Sequence, residues 1–177
     1  MRFIYWTLAL CFAASAVAQS PKPEDVVDLD WGATPHVSQL DSLYFAGQVD
    51  AEGLEKAKES GVSVVINLRD PSEHDWDEAA AAEALGLLYV NVPVTGATFD
   101  PAAFERIESL VSQYGDEKIL VHCGSSNRVG GWLATHLVKE RGMDIEDALD
   151  VGRAAGITSP AIEKRVREYL ESPSEGP

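Results

Sequence analysis

Apolar positions along this chain follow two rhythms, and the way the rhythms alternate predicts an architecture. Val62 to Leu68 (VSVVINL) is an almost unbroken apolar run, too continuous for a strand with one wet face. Leu43-Tyr44-Phe45, Leu87 to Val92 and Ile119 to His122 read as further short strands. The segments between them carry helical spacing and helix punctuation. Asp50 can cap a helix that runs through Leu54 and Ala57 to Ser60 and stops at Gly61. Trp76 to Leu85 ends at Gly86, and Asp100-Pro101, a cap and an N1 proline, opens a helix to about Tyr114. Another helix begins near Arg128 and stops at Gly142. Asp144 caps the next, which ends at Gly156, and Ser159-Pro160 starts the last, to about Leu170.

Strands alternating with helices call for right-handed crossovers and a parallel sheet. The expected fold is α/β, a three-layer sandwich around a central sheet of four or five mainly parallel strands. Ligands of such sheets bind at the carboxyl ends of the strands. Three segments share that edge: Asn67-Leu68-Arg69-Asp70, Val94-Thr95-Gly96 and His122-Cys123.

The flanks change the picture. Met1-Arg2 is followed by an apolar run from Phe3 to Val17, broken only by Thr7 and Ser15, and then by the small-x-small pattern Ala16-Val17-Ala18. This predicts a secretory signal peptide over 1–18, cleaved before Gln19, and hence a periplasmic or secreted protein. The run is short for a membrane span, which needs about 20 apolar residues. Residues 19–40 hold several Pro and Asp without a clear period and are expected to form an irregular segment. The domain proper then covers 41–171, with a disordered tail at 172–177.

With 177 residues, 45% of them hydrophobic, the chain has room for one ordinary domain. Signal cleavage would remove Arg2 and no acid, taking the formal charge from −15 to −16. A nucleic-acid binder would carry the opposite sign. Cleavage also removes Cys11, so the mature domain has a single cysteine, Cys123, and no internal disulfide. A lone thiol in an oxidising compartment asks for a reason.

The reason lies in its surroundings. Val121-His122-Cys123-Gly124-Ser125-Ser126-Asn127-Arg128-Val129-Gly130-Gly131 joins an apolar strand to a helix. Small residues let the backbone curl so that its N–H groups form an anion nest, and the helix adds its positive end. Both favour thiolate over thiol. Arg128 supplies a planar fork for two oxygens of a phosphate-like group. Cys123 and Arg128 are therefore the candidate nucleophile and anion clamp. The ligand is expected to be a phosphate-like or sulfur-containing anion, with no nucleic acid, no membrane span after cleavage and no cofactor. His36, His74 and His136 lack metal-ligand spacing, so no metal is assigned.

These segments resemble the cysteine-phosphatase superfamily, whose dual-specificity members carry HC, five loop residues and Arg. More closely, Leu43-Tyr44-Phe45-Ala46-Gly47-Gln48, Val65-Ile66-Asn67-Leu68-Arg69 and His122 to Gly130 are similar to a small bacterial phosphatase-like domain, also found in beta-lactamase-hydrolase-like proteins. The likeness spans roughly 40 to 170. It implies hydrolysis of a phosphomonoester, phosphotyrosine among the candidates, through a phosphocysteine on Cys123. Arg128 would grip the phosphoryl oxygens, amides of Gly124, Ser125, Ser126, Asn127 and Arg128 would stabilise the transition state, and His122 would tune the thiol and hold the loop.

Two departures keep alternatives open. Four residues separate Cys123 from Arg128, one fewer than in phosphatases of the superfamily and similar to the loop of rhodanese-type sulfurtransferases, which carry a persulfide. Val129 follows the arginine where phosphatases usually place Ser or Thr. A sulfurtransferase and a non-catalytic anion-binding module are the other readings. For the general acid, Thr95 occupies the family's Asp position; Asp100 is the candidate, though it is also the cap before Pro101, and Asp70 is the second. Trp132 and His136, four apart, read as helix packing. Arg69 either adds charge to the pocket or pairs with Asp70 or Glu73. Gly130 and Gly131 imply a close approach by another element.

Overall fold

A computed structural model describes residues 20–95 and 99–172. The expected signal peptide, Cys11, the loop 96–98 and tail residues 173–177 lie outside the described residues. In chain order the elements are β1 (Val27–Leu29), β2 (Val37–Leu40), β3 (Leu43–Ala46), α1 (Ala51–Glu59), β4 (Val62–Asn67), α2 (Glu78–Ala84), β5 (Leu88–Asn91), α3 (Pro101–Gln113), β6 (Lys118–His122), α4 (Asn127–Arg141), α5 (Ile145–Ala154) and α6 (Pro160–Glu171). The strands form one sheet in the order β1-β2-β3-β6-β4-β5. From β3 to β5 the neighbours run parallel, while β1 and β2 add an antiparallel edge.

That edge corrects one expectation. Residues 19–40 do not form an irregular strap; they supply two strands and raise the sheet from four or five strands to six. Three- and four-residue strands are too short for alternation to be legible. β1 is a sheet edge, with Val27 55% exposed. Trp31 anchors the segment by stacking on Tyr44 with ring centroids 5.8 Å apart.

Helix punctuation behaves as the sequence predicts. Asp50, Asp100 and Asp144 accept from the backbone N–H of Gly53, Ala102 and Glu146 at 2.8, 3.0 and 2.8 Å. Gly142 ends α4 at φ 65°, in the left-handed region open to glycine. α2 starts at Glu78 rather than Trp76 because the Asp77 carboxylate caps it through Ala80 N–H.

Each sheet face covers its own core. Ile119, Val121 and Cys123 belong to the core that includes residues of α3, α4, α5 and α6. Leu120 belongs to the other, with residues of α1 and α2. Gly130 and Gly131 let α4 sit close to its neighbours. A Cβ on Gly130 would fall 2.6 Å from Gly152 O on α5, and one on Gly131 would fall 2.8 Å from the Phe99 ring. The close approach is therefore made by a helix and a ring.

Strand register sets the functional edge. Ala46 and Asn67 both lie opposite His122, and Asn67 lies opposite Asn91. Four chain segments thus leave the sheet side by side at its carboxyl edge. Cross-links hold them together: Leu68 N–H donates to His122 O at 2.8 Å, and the Asn91 amide donates to Asn67 O and Arg69 O at 2.8 and 2.9 Å.

Candidate active site

Cys123 is the first residue after β6. Its N–H donates to Ala46 O at 3.2 Å, which continues the parallel ladder for one step. The chain then turns sharply. Gln48 N–H donates to Gly124 O at 3.2 Å, and Ser126 adopts a left-handed conformation with φ 60°. A non-glycine residue is strained there, and the surroundings hold it in place. Ser126 Oγ donates to His36 O at 3.2 Å. A Cβ on Gly156 would lie only 2.4 Å from Ser126 Cβ, so glycine is required at 156 for space as well as for its φ of 118°.

Among the described residues, the backbone N–H groups of Gly124, Ser125, Asn127 and Arg128 have no hydrogen-bond acceptor. They sit at the start of α4, where unsatisfied donors and the helix dipole favour an anion. The Asn127 side chain, by contrast, is spent elsewhere. Its Oδ1 accepts from the N–H of Thr158 and of Ser159, both at 2.9 Å, which ties the α5–α6 connection to the loop. Only its backbone amide remains for a substrate.

Arg128 gathers the other loops. Its Nη1 donates to Leu68 O at 3.2 Å, after β4, and to Val94 O at 3.0 Å, after β5. Nη1 and Nη2 together grip both oxygens of Glu73, at 2.8 and 2.6 Å. The guanidinium also stands close enough to Cys123 to feel a charge on its sulfur. Burial disfavours the cation, but Glu73 and the charge on Cys123 more than offset this and raise its pKa.

Glu73 is the functional residue that sequence reasoning missed as a member of the site. It ends a 3-10 turn over Pro71–Glu73, whose start is capped when Asp70 accepts from Ser72 N–H at 2.9 Å and Glu73 accepts from Asp70 N–H at 3.0 Å. The Arg128 hydrogen bond holds the Glu73 carboxyl below the ordinary range, against an opposing effect of burial. Arg69 braces the same turn, donating to Glu73 O and to Gln48 Oε1. The legible signal was the D-P-S-E capping pattern, placed directly after a strand at the functional edge.

Several expectations are corrected here. His122 does not reach the thiol, because strand alternation sends its side chain through the opposite face. Its Nε2 lies 2.6 Å from Glu78 Oε1, off the line of a formed hydrogen bond. Glu78 Oε2 accepts from Gln48 Nε2 at 3.1 Å and Asn67 Nδ2 at 3.4 Å, so His122 backs the strand end through a polar seam. Asp100 is occupied as the α3 cap, and Asp70 as the cap of the Pro71–Glu73 turn. The Ser72 hydroxyl and N–H hold the Asp70 carboxyl below its ordinary pKa, with a smaller contribution from the Arg128 charge. Neither Asp70 nor Asp100 is among the residues that line the cleft over Arg128. Trp132 Nε1 and His136 Nδ1 both meet the Glu108 carboxylate at 2.8 Å, the packing role their spacing suggested.

A cleft of about 360 Å³ opens over this assembly, with Arg128, Glu73 and Ser125 on one side and Ser159, Ile162 and Arg165 of the α6 region on the other. Cys123 itself has no accessible surface. Arg128, which follows it by five positions, lines the cleft. A smaller pocket of about 170 Å³ lies at the far end of the sheet, near Leu40, Ile119 and Leu137, and holds no nucleophile. Among the described residues no cluster of His, Cys, Asp or Glu is placed to hold a metal ion, and no helix is long and apolar enough to cross a membrane.

No protein-family model matches the sequence, and no curated protein matches it. Solved structures do. The DUF442 protein of Shewanella putrefaciens CN-32 is 22% identical, covers 77% of this chain and 87% of its own, and superposes with a TM-score of 0.65. TpbA of P. aeruginosa, in a Cys-to-Ser form bound to phosphotyrosine, is 17% identical over 92% of this chain and 93% of its own, with a TM-score of 0.63. Kinase associated phosphatase, with its catalytic cysteine likewise replaced by serine, is 17% identical over 79% and 97%, with a TM-score of 0.68. The chain has the fold of the cysteine-dependent protein tyrosine and dual-specificity phosphatases.

Proposed function

We propose that this protein is an exported cysteine-dependent phosphatase that hydrolyses a phosphomonoester, with phosphotyrosine as the leading candidate. The observation that carries the reading is the placement of Cys123 at the end of β6 and Arg128 at the open N-terminus of α4, where Arg128 gathers the loops after β4 and β5, within a phosphatase fold. Phosphotyrosine is favoured by the ligand bound to TpbA. Export rests on the 1–18 pattern, and a mature N-terminus at Gln19 would support it.

In this reading the Cys123 sulfur attacks phosphorus. An S–P bond forms, the P–O bond to the leaving group breaks, and the leaving oxygen departs with the electron pair and takes up a proton. Water then attacks the phosphocysteine, releasing inorganic phosphate and restoring the thiolate. Loop amides and Arg128 bear the charge on the equatorial oxygens. Since Cys123 has no accessible surface, the loop must open for substrate to reach the sulfur, and Arg128, which lines the cleft, can then turn its donors to the phosphoryl oxygens.

The test is turnover of an aryl phosphate by wild type and by Cys123→Ser. Hydrolysis lost in the variant supports the proposal; no Cys123-dependent hydrolysis sinks it. The four-residue spacing favours a second reading, sulfur transfer through a Cys123 persulfide. Thiosulfate would then leave one extra sulfur on the reduced protein, visible by mass, with aryl phosphate untouched.

A further inference from the structure

Arg165 stands apart from the other arginines of this molecule. Arg69, Arg128, Arg153 and Arg167 each have a carboxylate within 4.0 Å. Arg106 and Arg141 have none among the described residues, but they are exposed, where water is partner enough. Arg165 is half-buried and likewise has no carboxylate partner among the described residues. The chain has 29 acidic residues against 14 Lys and Arg, so partners are not scarce. The nearby acids of α6 are committed elsewhere: Glu163 to Arg153 at 2.8 Å and Glu168 to Lys164 at 3.3 Å.

Its position gives the vacancy a meaning. Arg165 and Arg128 line the same cleft, with the Ser125 and Ser159 side chains and Ile162 also on its walls. The one carboxylate on those walls is Glu73, already held by Arg128 at both oxygens. A partly desolvated cation left unpaired is costly unless something arrives to pair with it. Two guanidinium groups lining one cleft also focus a positive potential in a molecule that is otherwise strongly acidic.

We infer that Arg165 forms a second anion subsite, which selects phosphomonoesters carrying another negative group beside the phosphoryl centre. The inference rests on the proposed phosphatase reading only for what occupies the Cys123 end. A carboxylate or a second phosphate suits the guanidinium fork equally. On a peptide the matching chemistry is an acidic residue flanking the phosphotyrosine.

The test measures binding, so that it does not depend on turnover. Cys123→Ser protein is titrated calorimetrically with two phosphotyrosine peptides, one with Glu and one with Gln beside the phosphoresidue. A parallel arm compares carboxyphenyl phosphate with phenyl phosphate. Tighter binding of the Glu-flanked peptide, about tenfold, is expected. Adding Arg165→Gln should shrink that preference to within about twofold, and Arg165→Glu should invert it. Arg106→Gln, far from the cleft, should retain it. A preference in both arms assigns the subsite to charge alone; one confined to the peptides assigns it to an acidic peptide. Equal affinities in the parent protein, or a preference that survives Arg165→Gln, overturn the inference. If wild type fails to hydrolyse aryl phosphate while the Arg165-dependent preference persists, the phosphatase reading falls and the subsite stands.

Discussion

Arg153 and Arg128 each hold a glutamate by the same two-toothed grip, and they differ in almost everything else. Arg153 grips Glu163 at 2.8 and 2.9 Å, and Arg128 grips Glu73 at 2.8 and 2.6 Å. Arg153 is 39% exposed, and its other partner is Asp150, on its own helix. It fastens α5 to α6 and does nothing more. Arg128 is 11% exposed, and its partners come from the segments after β4 and β5, including two backbone carbonyls. The geometry of an ion pair therefore says little about its role. What separates the two is the company each arginine keeps and how much water reaches it.

The widest separation between them should appear on removing the side chain. Arg128→Ala leaves the loop amides to bear the phosphoryl charge alone, and kcat/KM for aryl phosphate should fall by about 10³ or more. The same change removes a large side chain from the cleft wall near a buried thiol, so alkylation of Cys123 by iodoacetamide should speed up while turnover disappears. Circular dichroism melting distinguishes this from unfolding. An alkylation rate equal to wild type, with the fold intact, would show that Arg128 does not limit access to the thiol.

Glu73→Gln should give an intermediate effect. The amide keeps one acceptor for Arg128 but loses the charge and the second tooth, so kcat should drop about tenfold, close to 1.4 kcal/mol. The glutamate side chain is 37% exposed, so its contribution to stability is discounted to about 1 kcal/mol. The sign with pH follows from the direction of its shift. The folded-state pKa lies below the ordinary glutamate value of 4.5, so the stabilisation is full above that value and is lost as pH falls through the lower folded-state one. The gap in melting temperature between wild type and Glu73→Gln should therefore be widest near neutral pH and close below pH 4.5. A gap that stays constant across that window would mean the carboxylate charge is not what binds Arg128.

The sequence makes one of these two pairs half visible and hides the other. Cys123 and Arg128 stand out because strand, small-residue loop and helix start are contiguous, and local signals report contiguous chemistry well. The caps at Asp50, Asp100 and Asp144 are legible for the same reason. Glu73 is 55 residues from Arg128, and only the sheet register brings them together. In the sequence it is simply a neighbour of Arg69, four positions away. Strands β1 and β2 stay hidden because three or four residues cannot display a period. The orientation of His122, in contrast, could have been read: if Cys123 faces one side of the sheet, the residue before it faces the other.

The smallest effect belongs to Arg153→Ala, and it is the one most able to break the contrast. Its two charged partners, Asp150 and Glu163, both reach solvent and can rehydrate when the guanidinium is gone, so the loss of stability should be about 0.5 kcal/mol, with the melting temperature lower by a few degrees at most. The Arg153 hydrogen bond holds the Glu163 carboxyl below its ordinary pKa, so this contribution too is present at neutral pH and fades as acid protonates the glutamate. Added salt should shrink it further, as it shrinks any exposed pair. Turnover of aryl phosphate should match wild type. One structural route could couple the two, which makes the measurement informative. Arg153 sits three residues before Gly156, whose backbone abuts Ser126 in the cysteine loop. If Arg153→Ala cost tenfold in kcat with stability barely changed, the α5–α6 fastening would be setting the loop's geometry, and the division drawn here between a surface staple and a site arginine would fail.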